Sequence, residues 1–71
     1  MELKGLKVKT IIYPQGEYHL GSPVLVIDEG SFYRIDGTHN IDKLKIKDVV
    51  REDDRIRIEM TDRVVTLEVQ Q

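Results

Sequence analysis

The chain has no cysteine, no tryptophan and no alanine. Without cysteine there is neither a disulfide framework nor a thiolate metal centre. Without alanine the strongest helix former is missing. Aromatic residues make up only 6% of the 71 residues, which leaves little from which to build a groove that stacks successive bases. The longest purely apolar run is Val24-Leu25-Val26-Ile27, far short of the roughly 20 residues a membrane-spanning helix needs. Lys4, Lys7 and Lys9 interrupt the first dozen residues, so no secretory leader is expected there. Charge of one sign is not in excess: 11 Lys+Arg stand against 13 Asp+Glu, a net charge of −2. A dedicated nucleic-acid domain usually shows a clear basic surplus, and a mimic of DNA would be far more acidic.

What is abundant is β-branched. Eight Val, eight Ile and four Thr suit a pleated, half-buried surface better than a helix. The length fits one domain over residues 1–71. A core of that size contributes only about 3–5 kcal/mol. With disulfides excluded, self-association is the natural reinforcement, although domains of this length also fold alone.

Short β-type runs separated by turn chemistry fill the chain. In Leu3 to Tyr13, alternation points Leu6, Val8, Thr10 and Ile12 one way and Lys7, Lys9, Ile11 and Tyr13 the other. Pro14-Gln15-Gly16 closes that run, and Glu17 to Gly21 reads as a short extended piece or loop. Val24 to Ile27 and Phe32 to Ile35, joined through Asp28-Glu29-Gly30-Ser31, form a hairpin. Ile41 to Arg51 mixes strand period with helical spacing. It reads as a strand and a turn, or as a short helical turn near 47–51 with Asn40 as a candidate cap. Arg55 to Met60 and Val64 to Val69 alternate cleanly around Thr61-Asp62 and make a second hairpin. Between them and Val50, the acidic turn Glu52-Asp53-Asp54 gives Asp53 or Asp54 the left-handed position often taken by glycine. The fold class is therefore all-β: a small antiparallel barrel or two-layer sandwich of about five to six short strands.

Chemistry is harder to find. Ser22 and Ser31 lie in turns without the setting of a nucleophile, and His19 and His39 are the only groups suited to proton transfer near neutral pH. No enzymatic activity and no cofactor are expected. Gly16 and Gly21 match the glycine spacing of a phosphate loop, but the lysine and following helix are missing. Glu17 and His19, with Asp36 and His39, supply ligand types without ligand spacing, so a metal or small-ligand site is the third reading.

Two surfaces remain. Lys43, Lys45 and Lys47, with Arg55 and Arg57, fall on alternating positions, and a shared sheet face would bind nucleic acid or another polyanion. Lysines on an edge strand also serve simply to block unwanted pairing. The aromatics and both histidines all lie between residues 13 and 39. With Phe32 taken as the core member, Tyr13, Tyr18, Tyr33, Arg34 and His39 form a candidate protein-binding patch, since Tyr and Arg are enriched in binding hot spots. The terminal strand Val64–Val69 carries only Glu68 as a charge. It is either an edge open to a partner strand or the strand that closes the barrel against the N-terminus. The leading expectation is a cytoplasmic, non-enzymatic binding or assembly module that contacts protein or a second copy of itself, with no membrane partner.

Overall fold

A computed structural model describes residues 2–70. Eight strands run β1 (Lys7–Tyr13), β2 (Gly16–Leu25), β3 (Ile27–Asp28), β4 (Phe32–Ile35), β5 (His39–Asp42), β6 (Ile46–Glu52), β7 (Arg55–Met60) and β8 (Val64–Val69). They form two antiparallel sheets, one ordered β2-β1-β8-β7-β6 and the other β3-β4-β5. The chain crosses between the sheets twice. At Val26 the backbone bonds to Gly5 and Leu6 instead of to a strand. At Lys43–Lys45 a single 3₁₀ turn intervenes.

Both sheets contribute to one core. Val8, Ile11, Ile56, Ile58, Val65, Leu67 and Val69 come from the larger sheet, and Tyr33, Ile35 and Ile41 from the smaller, with Leu3 and Val26 beside them. Burying each aliphatic side chain contributes about 1.5–3 kcal/mol, set against the entropy of ordering the chain. Strand β8 is the centre of this arrangement, paired with β1 on one side and β7 on the other. It is therefore not an edge: the C-terminal strand joins the first strand and completes the sheet.

The turns follow their residues. Pro14-Gln15 links Tyr13 to its partner Gly16. Glu29 donates its N–H to the Phe32 carbonyl around Gly30-Ser31, with Gly30 at φ 99°. Asp53 takes the left-handed conformation at φ 56° in the acidic turn. Met60 N–H donates to the Arg63 carbonyl, which leaves Thr61-Asp62 as the turn proper.

Four expectations are corrected. The run Val24 to Ile27 is divided between the sheets: Val24 and Leu25 pair with β1, and only Ile27 and Asp28 form the hairpin with β4. Ile11 faces the core, because Val8 opposes Val69 while Thr10 opposes Glu68, so Lys9 is an extra residue in β1. One inserted residue reverses the phase of everything after it. The helical turn lies at Lys43–Lys45, not near 47–51. Asp42, not Asn40, caps it by accepting the Leu44 N–H at 3.0 Å. Val49 and Val50 then alternate along β6, with Val49 packed against the core. Finally, Tyr33 is the core member of β4 at 8% exposure and Phe32 is its outward neighbour. Ile35 decides this: it shares the face of Tyr33, and alternation turns Phe32 and Arg34 to the other face.

Candidate functional site

The β1–β2 hairpin and the start of β5 bring three aromatic rings together. Ile11 opposes Tyr18 across the hairpin, and Tyr13 lies two residues beyond Ile11, so all three share the inner face. On the smaller sheet, Asp36 and Gly37 turn the chain with φ 53° and 69°, a conformation that short polar residues and glycine tolerate best. His39 follows, opposite Ile35. The imidazole then lies 4.5 Å from the Tyr18 ring and 5.8 Å from the Tyr13 ring, centroid to centroid. The two tyrosines meet edge to face at 6.4 Å.

Polar contacts fix this cluster. Tyr13 Oη is 2.7 Å from His39 Nδ1, and the Arg63 guanidinium sits 5.0 Å from the Tyr13 ring centroid. Burial pushes the Tyr13 phenol above its ordinary pKa, against the opposing pull of the Arg63 charge. The phenol therefore stays protonated at neutral pH and hydrogen-bonds the imidazole. Tyr13 and His39 are half-buried, whereas Tyr18 lies over them with 57% of its surface exposed. Edge-to-face aromatic pairs contribute about 0.5–1.5 kcal/mol beyond their buried area, so the exposed ring rests on a preorganised base.

The five residues expected to form a protein-binding patch thus divide. Tyr13, Tyr18 and His39 converge. Tyr33 does not join them: its ring is buried, its hydroxyl donates to Glu2 Oε1 at 3.0 Å, and the Lys43 ammonium lies 4.7 Å from its centroid. Burial, and then the bond to Glu2, raise its pKa. Lys43 in turn donates to Asp28 Oδ1 at 2.7 Å, which holds the Asp28 carboxyl below its usual range. Arg34 points out from the other face of β4 and pairs with Glu29 at 2.6 Å.

The five cations considered for polyanion binding do not form one basic face. Lys43 is turned toward Asp28, and Lys45 is 3.5 Å from Asp62. Arg55 meets Glu68 at 2.8 Å, and Arg57 meets Glu59 and Glu52. The outer face of the large sheet therefore carries interleaved charges of both signs. Lys47 is the extra residue of a bulge on edge strand β6, since Ile46 opposes Met60 while Asp48 opposes Glu59. A bulge and a lysine together discourage further strand pairing.

The metal ligands considered from the sequence do not converge either. Glu17 and His19 approach each other at 3.4 Å on the outer face of β2, while His39 belongs to the inner aromatic cluster. Among the described residues, no group of three or more His, Cys, Asp or Glu is placed to hold a metal ion.

Two features escaped sequence reasoning. A surface groove of about 360 Å³ is lined by Ser31, Phe32, Asn40, Asp42 and Leu44. Leu44 is 90% exposed, because the 3₁₀ turn capped by Asp42 carries it away from both sheets. A second groove of about 400 Å³ runs between Leu3, Tyr33 and Lys43 on one side and Ile46 to Val49 on the other. The Asp42 cap was the only sequence signal for the first groove, and it is one residue type two positions before Leu44. Comparison with protein-family models, with curated proteins and with solved structures returns no match for this chain.

Proposed function

We propose that this chain is a non-enzymatic binding module that acts through protein–protein contacts at the Tyr13–Tyr18–His39 cluster. One observation carries the reading. Tyr18 is a large, mostly exposed aromatic ring supported from beneath by a tyrosine–histidine pair that is itself hydrogen-bonded at 2.7 Å. Tyrosine offers contact area at low conformational cost, with only two side-chain torsions to fix. A ring already held in place loses still less freedom on binding. Nearby Arg63, drawn over Tyr13, adds a residue type common in binding hot spots. The cluster also straddles the two sheets, so its geometry depends on the intact fold and not on one mobile loop.

The test is affinity capture from an extract of the source cells on immobilised wild-type chain and on Tyr18→Ala. The reading expects at least one protein, which includes further copies of this chain, to be retained by the first and lost by the second. Identical retention on both would contradict it.

A further inference from the structure

We infer that β2 pairs edge to edge, antiparallel, with β2 of a second copy of this chain, placing Tyr18 opposite its own counterpart. The inference rests on the protein-contact reading of the Tyr13–Tyr18–His39 cluster and names the partner.

The two sheets present four edges: β2, β6, β3 and β5. Three are poor templates. β3 has two residues and β5 four. β6 carries the Lys47 bulge, four charged side chains, and an Asp48 carboxylate that already accepts the Val49 N–H at 2.9 Å. β2 differs from all of them. From Gly16 to His19 it pairs with β1 in unbroken register, and Glu17 is its one acidic or basic residue apart from the imidazole of His19. Native edges are usually protected by charge, and here the single carboxylate has its complement two residues on, at His19.

The free groups of that edge can be located. Tyr13 and Gly16 flank a two-residue turn, and such a pair exchanges hydrogen bonds. By alternation Ile11 and Tyr18 do so as well, while Glu17 and His19 turn their N–H and C=O outward. A two-fold axis normal to the sheet requires one residue to face its own copy. With the axis at Tyr18, Glu17 of each copy opposes His19 of the other. The four outward-facing backbone positions then pair completely. On one face carboxylates alternate with imidazoles that carry N–H donors. On the other, the two Tyr18 rings meet at the closely spaced, non-hydrogen-bonded position. Moving the axis one residue either way sets Glu17 against Glu17 or His19 against His19. Like charges directly opposite destabilise a strand pair whereas aromatic pairs stabilise it, and the Tyr18 register is the one of the three that sets each Glu17 carboxylate against an imidazole, so the side chains select it.

The ladder is short. Beyond His19, the four residues Leu20 to Pro23 face the single residue Lys9, and Pro23 has no N–H to offer. A contact this small falls below the roughly 1,000 Å² of a stable interface, so the pairing is reversible, with a dissociation constant on the order of micromolar to millimolar.

Sedimentation equilibrium of the full chain from about 10 μM to about 1 mM tests this. The mass average is expected to rise from 8.3 kDa toward twice that value. His19→Pro removes an outward N–H without touching the β1 ladder, a substitution that edge strands accept. It should raise the dissociation constant at least about tenfold with an unchanged circular-dichroism spectrum. Glu17→His alone and His19→Glu alone should each weaken the dimer, and the two together should restore it. A mass fixed at 8.3 kDa across the range overturns the inference. So does a dimer whose affinity ignores these variants. A monomer whose capture of other proteins still depends on Tyr18 removes only the second copy. A monomer whose capture ignores Tyr18→Ala removes the cluster reading as well.

Discussion

Strands β8 and β2 belong to the same sheet, and each carries Val and Leu, yet they behave as opposites. β8 lies between two neighbours, and its Val65, Leu67 and Val69 are essentially buried. β2 has one neighbour, and none of its ten residues is fully buried. Composition separates them in part, since β8 has three Val and one Thr in six residues whereas β2 has only Val24 among its ten, with two Gly and Pro23; position in the strand order does the rest. The strand that ends the described fold is central, and the hairpin strand near its start is an edge of the sheet. In a chain of this size, where stability is roughly 0.05–0.15 kcal/mol per residue, few strands can be spared from the core. One that is spared and long invites a functional explanation.

The comparison can be broken most directly in β8. Leu67 is completely buried at the sheet centre, and Leu67→Ala should cost about 2–5 kcal/mol, a large share of the total. Urea denaturation should show a much lower midpoint or no folded baseline. A loss below about 1 kcal/mol would mean that β8 is not the centre of the core.

The next effects come from the polar anchors of Tyr33. Tyr33→Phe removes the hydroxyl bonded to Glu2 and should cost about 1 kcal/mol. Because burial raises the pKa of Tyr33 and Tyr13 in the fold, their contribution is present below about pH 10, the unfolded value, and is lost as pH rises beyond it. Thermal melts of Tyr33→Phe should therefore decline less steeply above that pH than wild type. On the acid side the sign reverses. Lys43 depresses the Asp28 pKa, so its contribution holds above about pH 4 and is lost as pH falls further. Asp28→Asn should flatten the acid arm of the melting profile, and an unchanged acid arm would refute the role given to that pair.

Tyr18→Ala belongs with Tyr33→Phe in size, and the smallest stability effect is expected where exposure is greatest. Leu44→Ser should change unfolding free energy by less than about 0.5 kcal/mol, since 90% of Leu44 is exposed. Tyr18→Ala should cost about 0.5–1.5 kcal/mol through its aromatic contacts, clearly less than Leu67→Ala, while abolishing contact with partners. A Tyr18→Ala variant as unstable as Leu67→Ala would make β2 another structural strand and remove the contrast.

Legibility in the sequence follows the same division. The hairpin Arg55–Met60 to Val64–Val69 was readable because period-2 alternation runs unbroken through Ile56, Ile58, Met60, Val65, Leu67 and Val69. The all-β class followed from β-branched content and the missing alanine. β1 misled because its alternation holds only as far as Lys9; a bulge inserts one residue and leaves no compositional mark. Tyr33 misled because Phe32 looks more hydrophobic, while the parity of Ile35 carried the real information. The aromatic cluster was half legible. Tyr13, Tyr18 and His39 stand out in the sequence by residue chemistry alone, and only the crossing at Val26 and the Asp36-Gly37 turn bring His39 to the hairpin. The basic stripes were legible as stripes, and Glu59, two residues from Arg57 on one face of β7, is a local partner, but Asp28, Asp62 and Glu68 reach Lys43, Lys45 and Arg55 only through the fold.

The most direct test is residue-resolved amide hydrogen exchange at two protein concentrations, about 10 μM and about 1 mM. The amides of β8 should be protected equally at both. Those of Glu17 and His19 should exchange freely in the dilute sample and become protected in the concentrated one, while the Tyr18 amide, bonded to β1, changes little. Glu17 and His19 amides that exchange at the same rate at both concentrations would contradict the claim that β2 is the contact edge of this fold.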